Sequence, residues 1–316
     1  MVPHPQENPK FTYSLATERQ ALLSTKTLRG VPHKAPNKLL AATWNLTNFG
    51  IQKRSNDDLA LMAEVISWFD LVAIQEVADD LAHLRKLMSN LPSTYEVIIS
   101  DIGGNDERTG FLYDSAKVER LELAAEVAVS PSDQRYIRMR RVSGAFKGFD
   151  RNPYIVAFRA GALEFTAVSA HLFFGSNTYF DEDRRALEAY ALARWADQRH
   201  KAPGAYSQSI LVTGDLNLPK RKESNNVYRA LKAKGLIFPE HSTAMGSSLK
   251  DDKHYDQIAF LAGGMKDSYT GNSGVFDFDH TPFFAGAWDP QKPDYFNTTV
   301  KYHIADHRPL CAEFNI

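Results

Sequence analysis

The chain has 316 residues, 43% hydrophobic and 24% charged, with a formal net charge of -1 and one cysteine, Cys311. The length can bury a sizeable core, the near-neutral charge excludes a global basic field for nucleic acid, and a single cysteine excludes both a disulfide framework and a cysteine-rich zinc site. No apolar run approaches the ~20 residues that span a bilayer. The start, "MVPHPQENPKFTYSLATERQ", lacks the basic residues and apolar centre of a signal peptide. As given, the sequence reads as cytoplasmic; a leader trimmed from it would make the protein a secreted one.

Residues 1–37 are rich in proline and polar residues and read as an arm, with a short helix near Leu15 to Leu23. From residue 38 the texture changes to strands alternating with helices, and 38–316 reads as one large domain. "KLLAATWN" is a strand. "SNDDLALMAEVISWF" is an amphipathic helix: Leu59, Met62, Val65, Ile66 and Phe69 share one face, and Ser55 can cap it. "DLVAIQEV" is a second buried strand, and "DDLAHLRKLMSNL" a second helix. Strand-like runs follow in "YEVIIS", "TGFLYD", "NPYIVAFRAG" and "LEFTAVSAHL". The long helix "DEDRRALEAYALARWADQRH" leads to the strand "ILVTGDLNLP", and "YDQIAFLAG" and "HRPLCAEFNI" are the last strands. This order, partly βαβ and partly hairpin, predicts an α/β fold of packed mixed sheets flanked by helices.

Polar residues recur where the apolar runs end. "AATWN" ends in Asn45, "LVAIQE" in Glu76, "TAVSAH" in His171, and "LVTGDLN" in Asp215 and Asn217; "IADH", just before the last strand, holds Asp306 and His307. One such residue is a turn or a cap. Five apolar runs ending this way point to a single site where strand ends converge, the usual place for a ligand in an open α/β sheet. Glu76 and Asp306 are hard oxygen ligands, and Asn45 adds an amide oxygen. Such a set suits Mg²⁺ better than zinc. Two histidines suit proton transfer near neutral pH. Metal, histidine pair and an oriented water together match hydrolysis of a phosphate ester.

The motifs "WNLTNFG", "AIQEV", "ERTGFLYD", "RNP", "SAHL", "GDLN", "YDQI" and "DHRPL" occur in that order. The ordered set resembles the endonuclease/exonuclease/phosphatase superfamily, most closely its deoxyribonuclease I-like group, over residues 38 to 316. The resemblance implies a four-layer α/β sandwich, two packed mixed β-sheets with helices outside, and metal-dependent phosphodiesterase or phosphatase chemistry with Mg²⁺ or Mn²⁺. It implies Glu76 as the main metal carboxylate, with Asn45 beside it and Asp306 as a second acidic position. It implies His171 and His307 as the catalytic histidines, oriented by Glu107 and Asp256. Asp215 and Asn217 correspond to the pair that polarises the reacting phosphate or its water, and Arg151 to an arginine that grips a substrate phosphate. The calcium-stabilised loops and disulfides of the secreted animal enzymes have no recognisable counterpart, and "YDQI" departs from the inositol polyphosphate 5-phosphatase signature.

Two further stretches carry expectations. "FDFDH", Asp277 to His280, is a candidate second metal loop, set against a merely solvated one. "RYIRMRRVSGAFKGFDR" holds Arg135, Arg138, Arg140, Arg141, Lys147 and Arg151 against one acid, Asp150, with Tyr136, Phe146 and Phe149 interleaved. A basic strip with aromatics suits a phosphate backbone; the plain alternative is a solvated hairpin. The expected substrate is therefore nucleic acid, DNA favoured, cut internally with little base specificity. The competing readings are a phosphodiesterase or phosphatase on a lipid headgroup or small phosphate ester, and an inactive binding protein on the same fold.

Overall fold

The structure is a computed structural model and describes residues 11–241, 243, 245–249, 253–278, 282–289 and 291–316. In chain order the elements are α1 (Leu15–Thr25), β1 (Lys38–Phe49), α2 (Asn56–Ser67), β2 (Leu71–Ala78), α3 (Ala82–Met88), β3 (Tyr95–Ile99), β4 (Glu107–Asp114), β5 (Glu119–Glu126), α4 (Pro131–Gln134), β6 (Tyr154–Ala160) and β7 (Leu163–His171). They continue with α5 (Tyr179–Lys201), β8 (Ile210–Asp215), α6 (Asn226–Lys232), β9 (Asp256–Phe260), α7 (Gly264–Ser268), β10 (Tyr269–Val275), α8 (Pro293–His303) and β11 (Leu310–Asn315). Two sheets form, one six-stranded in the order β10-β11-β1-β2-β4-β3, the other five-stranded in the order β5-β6-β7-β8-β9. Helices cover both outer faces, so the expected four-layer sandwich of mixed sheets is what the chain builds.

Three apolar layers hold it. Between the sheets lie Leu39, Ala41, Phe111, Phe158, Phe165 and Phe260. Outside the first sheet, Trp44, Leu46 and Ile74 pack on residues of α1, α2, α3 and α8, among them Leu22, Met62, Leu87 and Val300. Outside the second, Val168, Val212 and Ala259 pack on α5 and α6. Ser55 caps α2 as its sequence position predicts, within a capping box completed by Asp58. Leu22 and Val31 of the N-terminal segment belong to the helix-side core.

Strand alternation decides which polar residues reach the space between the sheets. Leu39 and Ala41 of β1 face the second sheet, so Asn45 does too. Phe111 and Tyr113 set the same parity for Glu107, Phe165 and Ala167 for His171, Leu211 for Asp215, and Ile258 and Phe260 for Asp256. Strands β1 and β2 run parallel, as do β7 and β8, while β4, β9 and β11 run against their neighbours. The ends of the first set and the starts of the second therefore meet at one end of the sandwich.

Glu76 breaks the alternation. Val72 and Ile74 face the helices, and strict period two would send Glu76 the same way. Instead the β2–β4 register slips between Ile74 and Val77, Glu76 takes φ +59°, and Val77 recovers the helix-side position. This bulge re-aims one carboxylate into the inter-sheet cleft.

Gly214 is fixed by close approach. Its φ is +129°, and a Cβ there would lie 2.0 Å from the carbonyl oxygen of Ala170 on β7. That contact sits beside the paired ends His171 and Asp215. Gly214→Ala is expected to destabilise the protein by roughly 3 kcal/mol or more, the upper range for single substitutions. A urea midpoint within error of the parent would show that the two strands separate at little cost.

Candidate active site

Two histidine–carboxylate pairs face each other across Asp215. His171 Nδ1 lies 2.9 Å from Glu107 Oε2, and His307 Nδ1 lies 2.6 Å from Asp256 Oδ2. Their Nε2 atoms then point at one oxygen, Asp215 Oδ2, at 3.6 and 3.9 Å. The structure thus brings together all six residues that the sequence singles out for catalysis, Asn217 included. The Asn217 backbone N–H donates to Asp215 Oδ1 at 2.9 Å. Its side chain donates to the Leu172 carbonyl at 2.6 Å, which fixes the turn after β8 with Asn217 at φ +47°.

Glu76 stands beside this group. Asn45 Nδ2 donates to Glu76 Oε1 at 2.8 Å and to Asp215 Oδ2 at 3.1 Å, and the Asn48 N–H donates to Glu76 Oε2 at 2.7 Å. The amide oxygen of Asn45 accepts from the Thr47 N–H at 2.9 Å, which fixes the orientation of the amide. Asn45 presents its NH₂ to both carboxylates and bridges them, while its oxygen accepts from the backbone. Thr47 and Asn48, both at positive φ, form an irregularity near the end of β1, where its register against β2 shifts.

Asp306 is engaged on both oxygens. Thr47 Oγ1 donates to Oδ1 and Lys301 Nζ to Oδ2, each at 2.7 Å. Its Oδ1 also lies 3.9 Å from His307 Nε2. Lys301, from α8, is a site residue that sequence reading misses. It lines the same cavity of about 530 Å³ as Glu76, Glu107, His171, Asp215, Asn217, Asp306 and His307. Tyr255 and Phe174, whose rings meet edge to face, complete the wall.

Arg151 lies against the end of β7. It is 4% exposed, and its guanidinium donates to the carbonyls of His171 and Leu172 at 2.9 and 3.0 Å. Its remaining nitrogen, Nη1, faces Glu107 at 3.7 Å and Asp150 at 3.5 Å. It braces the end of β7 that carries His171, and it also lines the catalytic cavity, where Nη1 makes no hydrogen bond. The basic strip is not a hairpin: past α4 it is an irregular loop pinned to α5 by Ile137 and Phe146. Arg138, Arg140 and Arg141 are exposed on it and lie outside the cavity lining. Asp277 is buried against Arg29 at 2.6 Å and Arg308 at 3.3 Å, an ion cluster, so it does not offer itself to a metal; Asp279 and His280 lie outside the described residues.

The charges explain each other. Burial pushes Asp215 up, but His171 and His307 outweigh it and hold the carboxyl below its ordinary value. Burial would lower His307; the carboxylates of Asp256, Asp215 and Asp306 reverse this and hold it well above the usual imidazole range. Burial and Arg151 pull His171 down, while Glu107 and Asp215 leave it raised. Glu76 is raised, by burial first and then by Glu107 and Asp306, against the two histidines. A divalent cation beside Glu76 would offset its burial and the neighbouring carboxylates. Glu76, Asp215 and His171 offer ligand atoms within 4.8 Å of one another, among the described residues. The donor set is mostly hard oxygen, which fits Mg²⁺ or Mn²⁺.

No protein-family model matches the sequence. The Xenopus laevis "Endonuclease/exonuclease/phosphatase family domain-containing protein 1" is 26% identical over 300 residues, 87% of this chain and 49% of that protein. The chain thus spans about half the length of this curated relative. The mannosyl-6-phosphatase of Bacteroides thetaiotaomicron superposes with a TM-score of 0.55 at 16% identity, covering 88% of this chain and 100% of that one. D. rerio TDP2, in complex with a single strand DNA product, gives a TM-score of 0.54 at 15% identity, covering 88% and 99%. Identities this low establish the fold, which is the deoxyribonuclease I-like one. Motif order, fold and the amphibian relative agree: the chain is similar to endonuclease/exonuclease/phosphatase proteins and shares their fold.

Proposed function

We propose that the protein is a divalent-metal-dependent phosphodiesterase that cuts DNA internally with little base specificity. One observation carries the reading: two histidine–carboxylate pairs converge on Asp215, with Glu76 beside them, in a single open cavity. Glu76, with the Asp215 carboxylate beside it, would hold the cation, which would supply charge stabilisation at the attacked phosphate. Asp215 accepts the proton side of a water placed between the two Nε2 atoms. His307, held cationic by three carboxylates, donates a hydrogen bond or proton to a phosphate or leaving oxygen. Glu107 and Asp256 orient the rings, and Arg151 fixes the backbone that carries His171. A panel of plasmid DNA, RNA, a hexose 6-phosphate and bis(p-nitrophenyl) phosphate, each with Mg²⁺, tests the assignment. Plasmid nicking supports it. Turnover of the sugar phosphate alone would replace it with the second reading, a small phosphate ester, which fits a cavity lining that lacks Arg138, Arg140 and Arg141.

The strip then acts on long DNA by charge. Phosphate contacts carry no sequence information directly, and each neutralised phosphate releases counterions. Arg138, Arg140 and Arg141 replaced together by Ala should weaken DNA binding and flatten its salt dependence, with bis(p-nitrophenyl) phosphate hydrolysis nearly unchanged. Parent-like DNA cleavage at every salt concentration would make the strip a solvated loop.

A further inference from the structure

The start of α5 carries two large aromatics that the chemistry above does not use. Phe180 is 78% exposed and Tyr179 57%, and their rings meet edge to face with centroids 6.2 Å apart. Neighbouring exposed aromatics of this size on a polar surface mark a contact site. They stand near where two hollows adjoin. One is the catalytic cavity, whose wall includes Phe173, Phe174 and Asp150. The other, about 560 Å³, lies between the loop 143–150 and α5, with Phe146, Phe149 and Leu187 as apolar lining and Phe180 and Lys147 also facing it. Arg184 stands between the two: its guanidinium lies 3.7 Å from the Phe173 ring centroid and donates to Asp150 Oδ1 at 2.8 Å.

The acids of this groove are already committed. Asp183 accepts from the Ser143 N–H at 2.7 Å and from Asn226 at 3.2 Å. Glu188 accepts from the N–H groups of Asp150 and Phe173 at 3.1 and 3.0 Å, and Asp150 is held by Arg184. Their carboxylates point to backbone and side-chain donors, which leaves the aromatic faces as the contact surface of the groove. The groove offers flat apolar faces, with Lys147 and Arg184 in its lining, and shares Asp150 with the catalytic cavity.

We infer that this groove receives an unpaired nucleobase next to the scissile phosphate, stacked on Phe180, so that the substrate is single-stranded or locally unpaired DNA. The inference rests on the nuclease reading and narrows it. Every base has a π-face, so stacking on an aromatic is tolerant of sequence and binds without base readout. A paired base inside a duplex offers only its edges, and exposing its face requires extrusion from the stack. A sugar phosphate or a lipid headgroup has no flat ring to place there.

The test compares a single-stranded oligonucleotide, its blunt duplex and bis(p-nitrophenyl) phosphate, for the parent, Phe180→Ala and Phe180→Trp, all with Mg²⁺. The parent should cut the single strand faster than the duplex. Phe180→Ala should raise KM for the single strand about tenfold at unchanged kcat. It should leave diester hydrolysis unaltered, and Phe180→Trp should restore the parent KM. Equal KM for the parent and Phe180→Ala overturns the inference and leaves the nuclease reading standing. A parent that hydrolyses the small diester but cuts neither oligonucleotide removes the nuclease reading, and the inference with it. Concentration-dependent self-association that disappears in Phe180→Ala, with KM unchanged, assigns the patch to a second copy of the chain and overturns the proposal.

Discussion

Glu76→Gln should lower kcat at least ~100-fold, about 2.7 kcal/mol of barrier. The change keeps the shape of the side chain and removes its charge. The Asn48 N–H can still donate to the amide oxygen, but the NH₂ of Asn45 now faces a group with one acceptor where there were two. Burial first, then the neighbouring Glu107 and Asp306, raise the Glu76 carboxyl against the two histidines. Removing the charge removes the reason for a cation to bind. Calorimetric titration with Mn²⁺ should show weakened binding in the variant, and excess metal should not restore the parent rate. A variant with near-parent activity at low Mg²⁺ would take the metal away from Glu76.

His307→Ala and His171→Ala should each lower kcat by roughly 100- to 10,000-fold, the usual range for a lost general acid or base, with far smaller changes in KM. The pH profile separates structural from chemical roles. The raised pKa of His307 keeps its proton through neutral pH, so activity that needs the imidazolium is lost as pH rises through that value. Asp256→Asn removes the carboxylate that raises it most and retains the side-chain shape, so the alkaline limb of kcat should move to lower pH. If both alanine variants keep kcat and change only KM, these are not proton-transfer groups. An alkaline limb that does not move in Asp256→Asn would assign it to another group.

Much of the fold was legible because alternation and apolar runs are local signals. β1, β2 and β8 announce themselves in short aliphatic runs, and the polar residues that follow those runs name the site. Other elements did not show. β5, "ERLELAAE", is a mostly exposed edge strand whose residues satisfy no period-two burial, and β10, "YTGNSGV", is a glycine-bearing edge. α8 starts at Pro293 and holds asparagine and two threonines, weak helix formers that tertiary packing through Phe296 and Val300 overrides. Missing α8 meant missing Lys301, whose bond to Asp306 spans only five residues but depends on the helix that delivers it.

The site was legible in identity and less so in role. Motif order names Glu107 and Asp256 as partners of the histidines, and the distances agree. It cannot say which way an asparagine amide points, so the oxygen of Asn45 was expected in the cavity and is found on the Thr47 N–H. Nor can it say how deep an arginine lies. Arg151 belongs to a charged run, yet two carbonyls at the end of β7 claim it. The bulge at Glu76 leaves no trace in composition, although without it the carboxylate would face the helices.

The most direct measurement is nicking of supercoiled plasmid by the purified chain with Mg²⁺, with chelator added, and with Mg²⁺ restored. The account predicts conversion to the relaxed form with the metal, arrest by the chelator, recovery on restoring the ion, and no conversion by the Glu76→Gln protein under the same conditions. Nicking that persists in excess chelator, or that Glu76→Gln supports as well as the parent, would contradict it.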